Sequence, residues 1–170
     1  EKDLEQMNEL IEQALELGRN LGHGEISEVD VPALIRELAE GQPRIRAQPT
    51  SPYRQRLNAT ALRRILVNLL ENALRYSGAH PVDIKLDAVS KPAKVLVVDR
   101  GPGIPDEDKE AVFRPFYRLE QSRNRETGGS GLGLAVALQL AEANGFLIQL
   151  ADRIGGGTEA AVSLPDTEGG

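Results

Sequence analysis

The chain has 170 residues, with 26 acidic against 20 basic side chains and a formal net charge of −6. Its length supports one domain with its own hydrophobic core, and its acidic balance argues against nucleic acid as a partner. Cys is absent, which excludes disulfides and thiolate metal sites. No apolar run reaches the roughly 18 residues of a membrane-spanning helix and no signal peptide is visible, so we expect that this chain does not span a membrane.

The first segment of the chain predicts an amphipathic helix. Its approximate heptad seam consists of Leu4, Met7, Ile11 and Ala14, continued by Leu21. A seam of this kind packs either on the chain's own domain or on a partner helix. A linker is predicted over residues 23–30, followed by a short helix near residues 32–39 and a strand near residues 44–48.

Residues 60–76 predict a helix whose apolar face consists of Leu62, Leu66, Leu69 and Ala73. A second row, at four-residue steps, consists of Arg64, Asn68, Asn72 and Tyr76, with Arg75 beside its end. Asn is a poor helix former, so two of them in one row call for a reason. An amide oxygen suits a Mg²⁺ ion that keeps most of its waters, and the Arg and Tyr side chains suit phosphate and an aromatic base. The alternative is a polar stripe that faces solvent.

Two strands and a glycine turn come next. Residues 82–88 alternate apolar and polar side chains, which predicts a strand with one buried face, and residues 94–99 predict a second strand. Asp99 ends this strand before Gly101 and Gly103, whose missing side chains let the backbone approach a ligand closely. A carboxylate there can accept a hydrogen bond from an exocyclic amine such as that of adenine. The alternative is an Asp-Gly turn that closes a hairpin.

An aromatic segment with Phe113, Phe116 and Tyr117 then gives way to a polar stretch that contains Arg118 and Arg123. An apolar anchor followed by an Arg-bearing loop is typical of a lid over phosphates. The alternative is a surface loop with scattered arginines.

A glycine cluster opens the last predicted helix, residues 134–143, and consists of Gly128, Gly129, Gly131 and Gly133. Free N–H groups and the helix dipole favour an anion at such a helix start, although a flexible linker is the alternative. No Gly-Lys-Ser/Thr exists, which excludes a P-loop. Leu134 stands where a dinucleotide fingerprint needs its third glycine, so that fingerprint is also excluded.

Two further strands are predicted near residues 146–151 and 159–164. The alternation in several strands indicates a sheet that has one face covered by helices. We therefore predict an α+β fold, a two-layer α/β sandwich with a mixed sheet, plus the N-terminal helix.

Five motifs together resemble the catalytic domain of bacterial sensor histidine kinases of the osmosensor-like class. NLLENALRYS is similar to their N box, DRGPGIP to their first glycine box and FRPFYR to their F box. GGSGLGLA is similar to their second glycine box, and GGGTEAAVSLP to their closing strand. All five occur in the family's order. The resemblance implies the Bergerat fold of the superfamily that includes the gyrase, chaperone and mismatch-repair ATPases, with ATP between the helix layer and the lid.

The resemblance also implies roles for single residues. Asn72 resembles the magnesium ligand and Asn68 its polar partner, and with Arg75 they form the implied catalytic set. Arg75 and Tyr76 resemble the residues that meet the phosphates and the adenine side, and Asp99 resembles the adenine-reading carboxylate. Further contacts to ATP are implied for Gly101, Gly103, Ile104, Arg118, Arg123, Gly129, Gly131, Leu132, Gly133, Leu134 and Thr158. The implied cofactors are ATP and Mg²⁺.

One position bears on the reaction. Related ATPases typically carry Glu where this chain has Asn68, and an amide cannot take a proton from water at neutral pH. The resemblance therefore implies phosphoryl transfer rather than hydrolysis. The alternatives are a free-standing ATPase or anti-sigma-type serine kinase of the same superfamily, and a docking module without activity.

The phospho-accepting histidine of the family is expected to lie outside this chain, because neither His23 nor His80 has the expected neighbours. We expect residues 1–22 to be the end of a dimerisation and phospho-acceptor helix, residues 31–165 to be the catalytic domain, and residues 166–170 to be a disordered tail. The implied partners are ATP, the dimerisation domain and a response regulator. The parent protein is implied to be a homodimer in the bacterial inner membrane, with this part in the cytoplasm.

Overall fold

A computed structural model describes residues 2–21, 24–117 and 131–166. Its helices are α1 (Lys2–Leu21), α2 (Val31–Ala39), α3 (Ala59–Tyr76) and α4 (Gly133–Asn144). Its strands are β1 (Ser27–Asp30), β2 (Ile45–Ala47), β3 (Arg54–Leu57), β4 (Val82–Asp87), β5 (Lys94–Val98), β6 (Leu147–Asp152) and β7 (Thr158–Ser163). Two short 3₁₀ turns, Asp106–Asp108 and Ala111–Phe113, follow β5.

Five strands form one mixed sheet in the order β2-β4-β5-β7-β6. The β2–β4 pair is parallel and the other three pairs are antiparallel. One face is apolar because β-branched side chains recur at every second position, and its fully buried members include Val82, Ile84, Val95 and Val162. The prediction of a mixed sheet with one covered face is confirmed.

The covering layer is built by α2, α3 and α4. Each helix turns an apolar stripe to the sheet, with buried side chains that include Ile35, Leu62, Ile65, Leu66 and Leu140. α3 and α4 also pack against each other. The predicted two-layer sandwich is therefore confirmed.

A side-chain cap begins α3, and a left-handed glycine ends α4. Asn58 caps α3, since its Oδ1 accepts a hydrogen bond from Ala61 N at 3.1 Å. Gly145 ends α4 with a φ of +77°, the left-handed conformation that favours glycine at a helix end. Asn144 donates to the Leu140 carbonyl oxygen and accepts from Asn58 Nδ2 at 3.0 Å, so the end of α4 is tied to the start of α3.

The predicted linker over residues 23–30 contains a strand. β1 pairs in antiparallel fashion with β3, which the sequence pattern did not predict. β3 reads Arg-Gln-Arg-Leu, so its alternation brings a polar side chain inward, and Gln55 is buried beside Leu57. The Gln55 side chain is satisfied because it accepts from Tyr53 and donates to the Pro165 carbonyl oxygen.

The N-terminal helix is confirmed, and it contacts α4. Ala14 packs against the core, whereas Leu4 and Met7 of the same seam are 65% and 38% exposed. The side chain of Leu21 lies outside the described part. In the described ranges, no helix has both the length and the apolar character needed to cross a membrane.

Candidate functional site

One cleft lies between α3, the turn after β5 and the start of α4, with a volume of about 920 Å³ that includes its opening to solvent. Its lining mixes polar and apolar groups, as ligand sites do. The lining residues are Asn68, Glu71, Asn72, Arg75, Tyr76, Asp99, Pro102, Gly103, Ile104, Val112, Tyr117, Gly131, Gly133, Leu134 and Thr158.

The polar row of α3 faces this cleft. Asn68 is buried, and its Nδ2 donates a hydrogen bond to the Gly133 carbonyl oxygen at 3.0 Å. Asn72, one turn later, is half-buried and makes no side-chain hydrogen bond within the described part of the chain. The first amide therefore joins the two helices, while the second leaves its oxygen available to a ligand.

Asp99 provides the acidic group of the cleft. Its Oδ1 accepts hydrogen bonds from Gly101 N at 2.9 Å and Thr158 N at 3.2 Å, and its own N donates to the Thr158 carbonyl oxygen at 2.9 Å. Burial raises the pKa of the Asp99 carboxyl above its usual value, against the opposing effect of these two backbone N–H groups.

Two glycines allow the backbone to close around Asp99. A Cβ on Gly101 would lie 2.5 Å from the Tyr76 carbonyl oxygen. A Cβ on Gly157 would lie 2.0 Å from the Asp99 carbonyl oxygen, and Gly157 has a φ of +106°. No larger residue fits either place without a shift of the backbone. Gly157 was not among the predicted site residues, although the glycine run before Thr158 was the available signal.

Backbone contacts also join the two segments that flank residues 118–130. Phe116 N donates to the Gly131 carbonyl oxygen at 2.8 Å, and a Cβ on Gly131 would lie 2.9 Å from Phe116 Cα. Both residues have positive φ, +65° for Phe116 and +76° for Gly131. Glycine at position 131 is therefore required both by its conformation and by this close approach.

A lysine supports the wall that contains Ile104. Lys109 Nζ donates to the Ile104 carbonyl oxygen at 2.8 Å and pairs with Asp152 at 3.0 Å and with Asp106. The hydrogen bonds to Asp106 and Asp152 raise the pKa of Lys109. The segment after Gly103 is thereby tied to the end of β6.

The structure brings most of the predicted site residues into the cleft: Asn68, Asn72, Arg75, Tyr76, Asp99, Gly103, Ile104, Gly131, Gly133, Leu134 and Thr158. Gly101 lies behind Asp99, and Leu132 is buried at the start of α4. Arg118, Arg123 and Gly129 lie outside the described residues.

Four lining residues were not predicted as part of the site: Glu71, Pro102, Val112 and Tyr117. Three of them could have been predicted from the motifs in which they stand. Glu71 adjoins Asn72, Pro102 stands within the glycine turn, and Tyr117 belongs to the aromatic segment. For Val112 no signal was available, because its place follows from the packing of a short 3₁₀ turn.

The residues of the cleft suit a cation for which a bound ligand, rather than the protein, supplies most of the coordinating atoms. Among the described residues, no group of three or more His, Cys, Asp or Glu side chains could hold a metal ion by itself. The Asn72 amide oxygen, beside Glu71, is a hard donor of the kind that Mg²⁺ uses when waters and phosphates complete its shell.

Comparison with known proteins agrees with this geometry. Residues 57–168 match the family described as "Histidine kinase-, DNA gyrase B-, and HSP90-like ATPase". The sensor protein RstB of Escherichia coli strain K12 is 37% identical over 175 residues, an alignment that covers 96% of this chain and 40% of RstB. The chain thus spans less than half of the length of this relative.

Two solved structures have the same fold. The catalytic domain of histidine kinase ThkA is 26% identical, with a TM-score of 0.68 over 84% of this chain and 96% of that one. Full-length ShkA, determined in complex with AMPPNP, is 26% identical, with a TM-score of 0.66 over 87% of this chain and 33% of that one.

Proposed function

Because the chain belongs to the histidine kinase-, DNA gyrase B- and HSP90-like ATPase family, within which it corresponds to the catalytic part of sensor histidine kinases, we propose that it binds Mg-ATP in the cleft and donates the γ-phosphoryl group to a histidine. The observation that carries this proposal is the convergence of the α3 row, Asp99 and the start of α4 on one cleft. A metal-bound triphosphate with an aminopurine at its other end needs these three kinds of group.

Asp99 is proposed to read the base. Its Oδ1 is occupied by Gly101 N and Thr158 N, so the other carboxylate oxygen accepts from the exocyclic amine of adenine. The Thr158 hydroxyl is proposed to lie near the same end of the base. Tyr76, at the end of α3, adds an aromatic surface to this part of the cleft.

The start of α4 is proposed to face the phosphates. Leu132 occupies the capping position and carries no polar atom to cap the first N–H groups of the helix. These N–H groups and the positive end of the helix dipole favour an anion. Arg75, which lines the cleft, supplies positive charge on this side.

Asn72 is proposed to hold Mg²⁺ through its amide oxygen. When bound, Mg²⁺ neutralises charge on the phosphates and orients them. Asn68 has a different task, because its amide donates to Gly133 and keeps α3 against α4.

The amide side chain of Asn68 favours phosphoryl transfer over the hydrolysis of ATP. An amide at this place cannot activate water as a general base. Phosphoryl transfer needs mainly positioning and charge neutralisation, which the residues of the cleft supply. A free-standing ATPase or an anti-sigma-type serine kinase remains the alternative that the experiment below addresses.

The remainder of the proposal concerns the whole protein. The acceptor histidine lies on a dimerisation domain, of which residues 1–22 are the last part, and residues 31–165 form the catalytic domain. A response regulator then receives the phosphoryl group, and the parent is a homodimer anchored in the bacterial inner membrane with this domain in the cytoplasm. His80 is exposed in a turn, and because it lacks the neighbours expected of the acceptor, it is proposed not to be the acceptor.

Titration with a fluorescent ATP analogue, with and without Mg²⁺, tests the proposal. We expect Mg²⁺ to strengthen binding to the unmodified chain and to Asn8→Ala, a control on the exposed face of α1, but not to Asn72→Ala. The absence of binding at millimolar nucleotide would refute the proposal. Steady hydrolysis by the chain alone, abolished in Asn72→Ala, would instead support the free-standing enzyme.

A further inference from the structure

A partly buried ion pair lies on the sheet face opposite the cleft, directly behind the turn that carries Asp99. Asp83 alternates in β4 with Val82 and Ile84, which are fully buried in the covered face, so its side chain lies on the other face. Arg100 Nη2 donates to Asp83 Oδ2 at 2.6 Å, and the two side chains are only 24% and 12% exposed.

Arg100 makes more than this one bond. Its Nη1 donates to the Pro81 carbonyl oxygen at 2.8 Å, and its backbone N donates to Ser77 Oγ at 3.3 Å. One residue therefore connects the turn after β5 to the C-terminal cap of α3, to the segment before β4 and to β4 itself. Such a fork of donors is a property of arginine that lysine does not share.

The position of Arg100 in the sequence links these bonds to the orientation of the Asp99 carboxylate. It stands between Asp99, which lines the cleft, and Gly101, whose N–H is donated to Asp99 Oδ1. A shift of Arg100 therefore moves both the backbone that carries the carboxylate and one of the two N–H groups that orient it. On the far side, the Asp99 backbone is already held by the Thr158 carbonyl oxygen.

We propose that Asp83 and Arg100 are positioning residues that hold the Asp99 carboxylate at one place and thereby set the preference of the cleft for a base with an exocyclic amine. This inference rests on the proposed role of Asp99 in base recognition. The pair touches neither base nor phosphate, and it acts through the geometry of the turn. Discrimination that depends on a single hydrogen bond is sensitive to displacements well below the size of an atom.

Other contacts of Asp83 provide a matched control. Arg46 Nε and Gln48 Nε2 each donate to Asp83 Oδ1 at 3.0 Å, and Arg46 has no bond to the turn that carries Asp99. Asp87, on the same strand, is a second control, because the hydrogen bonds of its carboxylate within the described ranges go to the local turn at Val89 and Ser90.

The test compares dissociation constants for ATP and for purine riboside triphosphate, which differs from ATP only in lacking the 6-amino group. The ratio of the two constants measures the amine contact and cancels the phosphate contacts. It is determined on the full chain for Arg100→Gln, Arg100→Lys, Asp83→Asn and their controls Arg46→Gln and Asp87→Asn, each checked for folding by thermal unfolding.

We expect the preference for ATP to fall about fivefold to tenfold in Arg100→Gln and in Asp83→Asn, and to be partly retained in Arg100→Lys. A chain that carries both Asp83→Asn and Arg100→Gln should lose no more of the preference than either single variant, since both act through one pair. Both controls should keep the preference of the unmodified chain. If Asp83→Asn does not fold, the two Arg100 variants decide.

An unchanged ratio in Arg100→Gln would overturn the inference, and so would an equal loss of affinity for both nucleotides, because a general structural role predicts the latter. If the unmodified chain binds both nucleotides but does not prefer ATP, the proposed role of Asp99 fails, and the inference fails with it. If every Asp83 and Arg100 variant keeps the preference of the unmodified chain for ATP, the inference about the ion pair is refuted, but the proposed role of Asp99 is not.

Discussion

Asn68 donates its side-chain N–H to the carbonyl oxygen of Gly133 at 3.0 Å, and this bond joins the middle of α3 to the first residue of α4. The two residues are 65 positions apart in the chain. The row of amides on α3 is thus bonded, through Asn68, to the backbone that opens the glycine-led helix.

Asn68→Ala is expected to lower the free energy of unfolding by about 0.5–1.5 kcal/mol, because it removes the part-buried hydrogen bond between the Asn68 side chain and the Gly133 carbonyl oxygen. Urea denaturation measures the change. Asn8→Ala, on an exposed position of α1, is the control and should change the value far less. Equal effects of the two substitutions would contradict the importance of the Asn68–Gly133 bond.

Asp99→Asn is expected to weaken ATP binding by about 1–3 kcal/mol, the scale for leaving a polar partner unpaired. Isothermal titration calorimetry measures the affinity. Glu107→Gln, which removes an exposed carboxylate outside the cleft lining, serves as a control for the loss of one charge. Unchanged affinity in Asp99→Asn would mean that this carboxylate does not read the base.

The raised pKa of Asp99 implies that its ionised carboxylate, which is expected to favour ATP binding, lowers the stability of the folded chain. Since burial disfavours the charged form, the native state binds the proton more tightly than the unfolded state, in which the pKa is near 3.8. The stabilising contribution is therefore complete below the unfolded pKa and is lost as pH rises through the folded pKa. Asp99→Asn without nucleotide should be more stable than the unmodified chain at neutral pH, and this advantage should shrink in acid. Thermal unfolding from neutral to acidic pH checks the sign.

The contribution of Asp83 to stability is expected to have the opposite pH dependence. Burial alone would raise the pKa of Asp83, but hydrogen bonds and charges from Arg100 and Arg46 hold it below its usual value. Its contribution is therefore present above the unfolded pKa and is lost as pH falls through the folded pKa. Asp83→Asn should cost about 1.5–3 kcal/mol at neutral pH, the scale of a charged hydrogen bond. The cost should diminish in strong acid, and a constant cost at all pH values would contradict this account.

Gly157→Ala is expected to destabilise the chain more than Gly156→Ala. The two glycines have nearly equal φ, +106° and +105°, so the backbone strain of an added Cβ is matched. Only at Gly157 does the Cβ meet another group, the Asp99 carbonyl oxygen at 2.0 Å, whereas nothing lies within 4 Å of it at Gly156. The difference in unfolding free energy should exceed about 1 kcal/mol, on the scale of overpacking. ATP affinity should also fall only in Gly157→Ala.

The helices and most strands could be predicted from the sequence because their signals are local. α3 follows from its apolar period and α4 from the glycines at both ends, and both are confirmed within two residues. β1 and β3 could not be predicted, since each has four residues and β3 buries a glutamine in place of an apolar residue. Pairing between such short strands is a tertiary effect.

The candidate site, like the fold, has features that local sequence patterns predict and features that they do not. Its row of amides, its acid and its glycines stand in local patterns, and the structure places them around one cleft. The partner of Asn68, the contact of Gly157 with Asp99 and the bonds of Arg100 join residues that are distant in the chain. No local pattern encodes such partners, so they emerge only from the fold.

The hydrogen bond between Phe116 and Gly131 has a consequence for how this part of the chain tolerates changes in length. Because the two anchor points are already held together, the intervening segment closes a ring whose ends do not depend on the number of residues between them. The entropy of ring closure grows slowly, by about 0.6 kcal/mol for each doubling of length. Changes in the number of residues between Phe116 and Gly131 are therefore expected to cost this chain little stability.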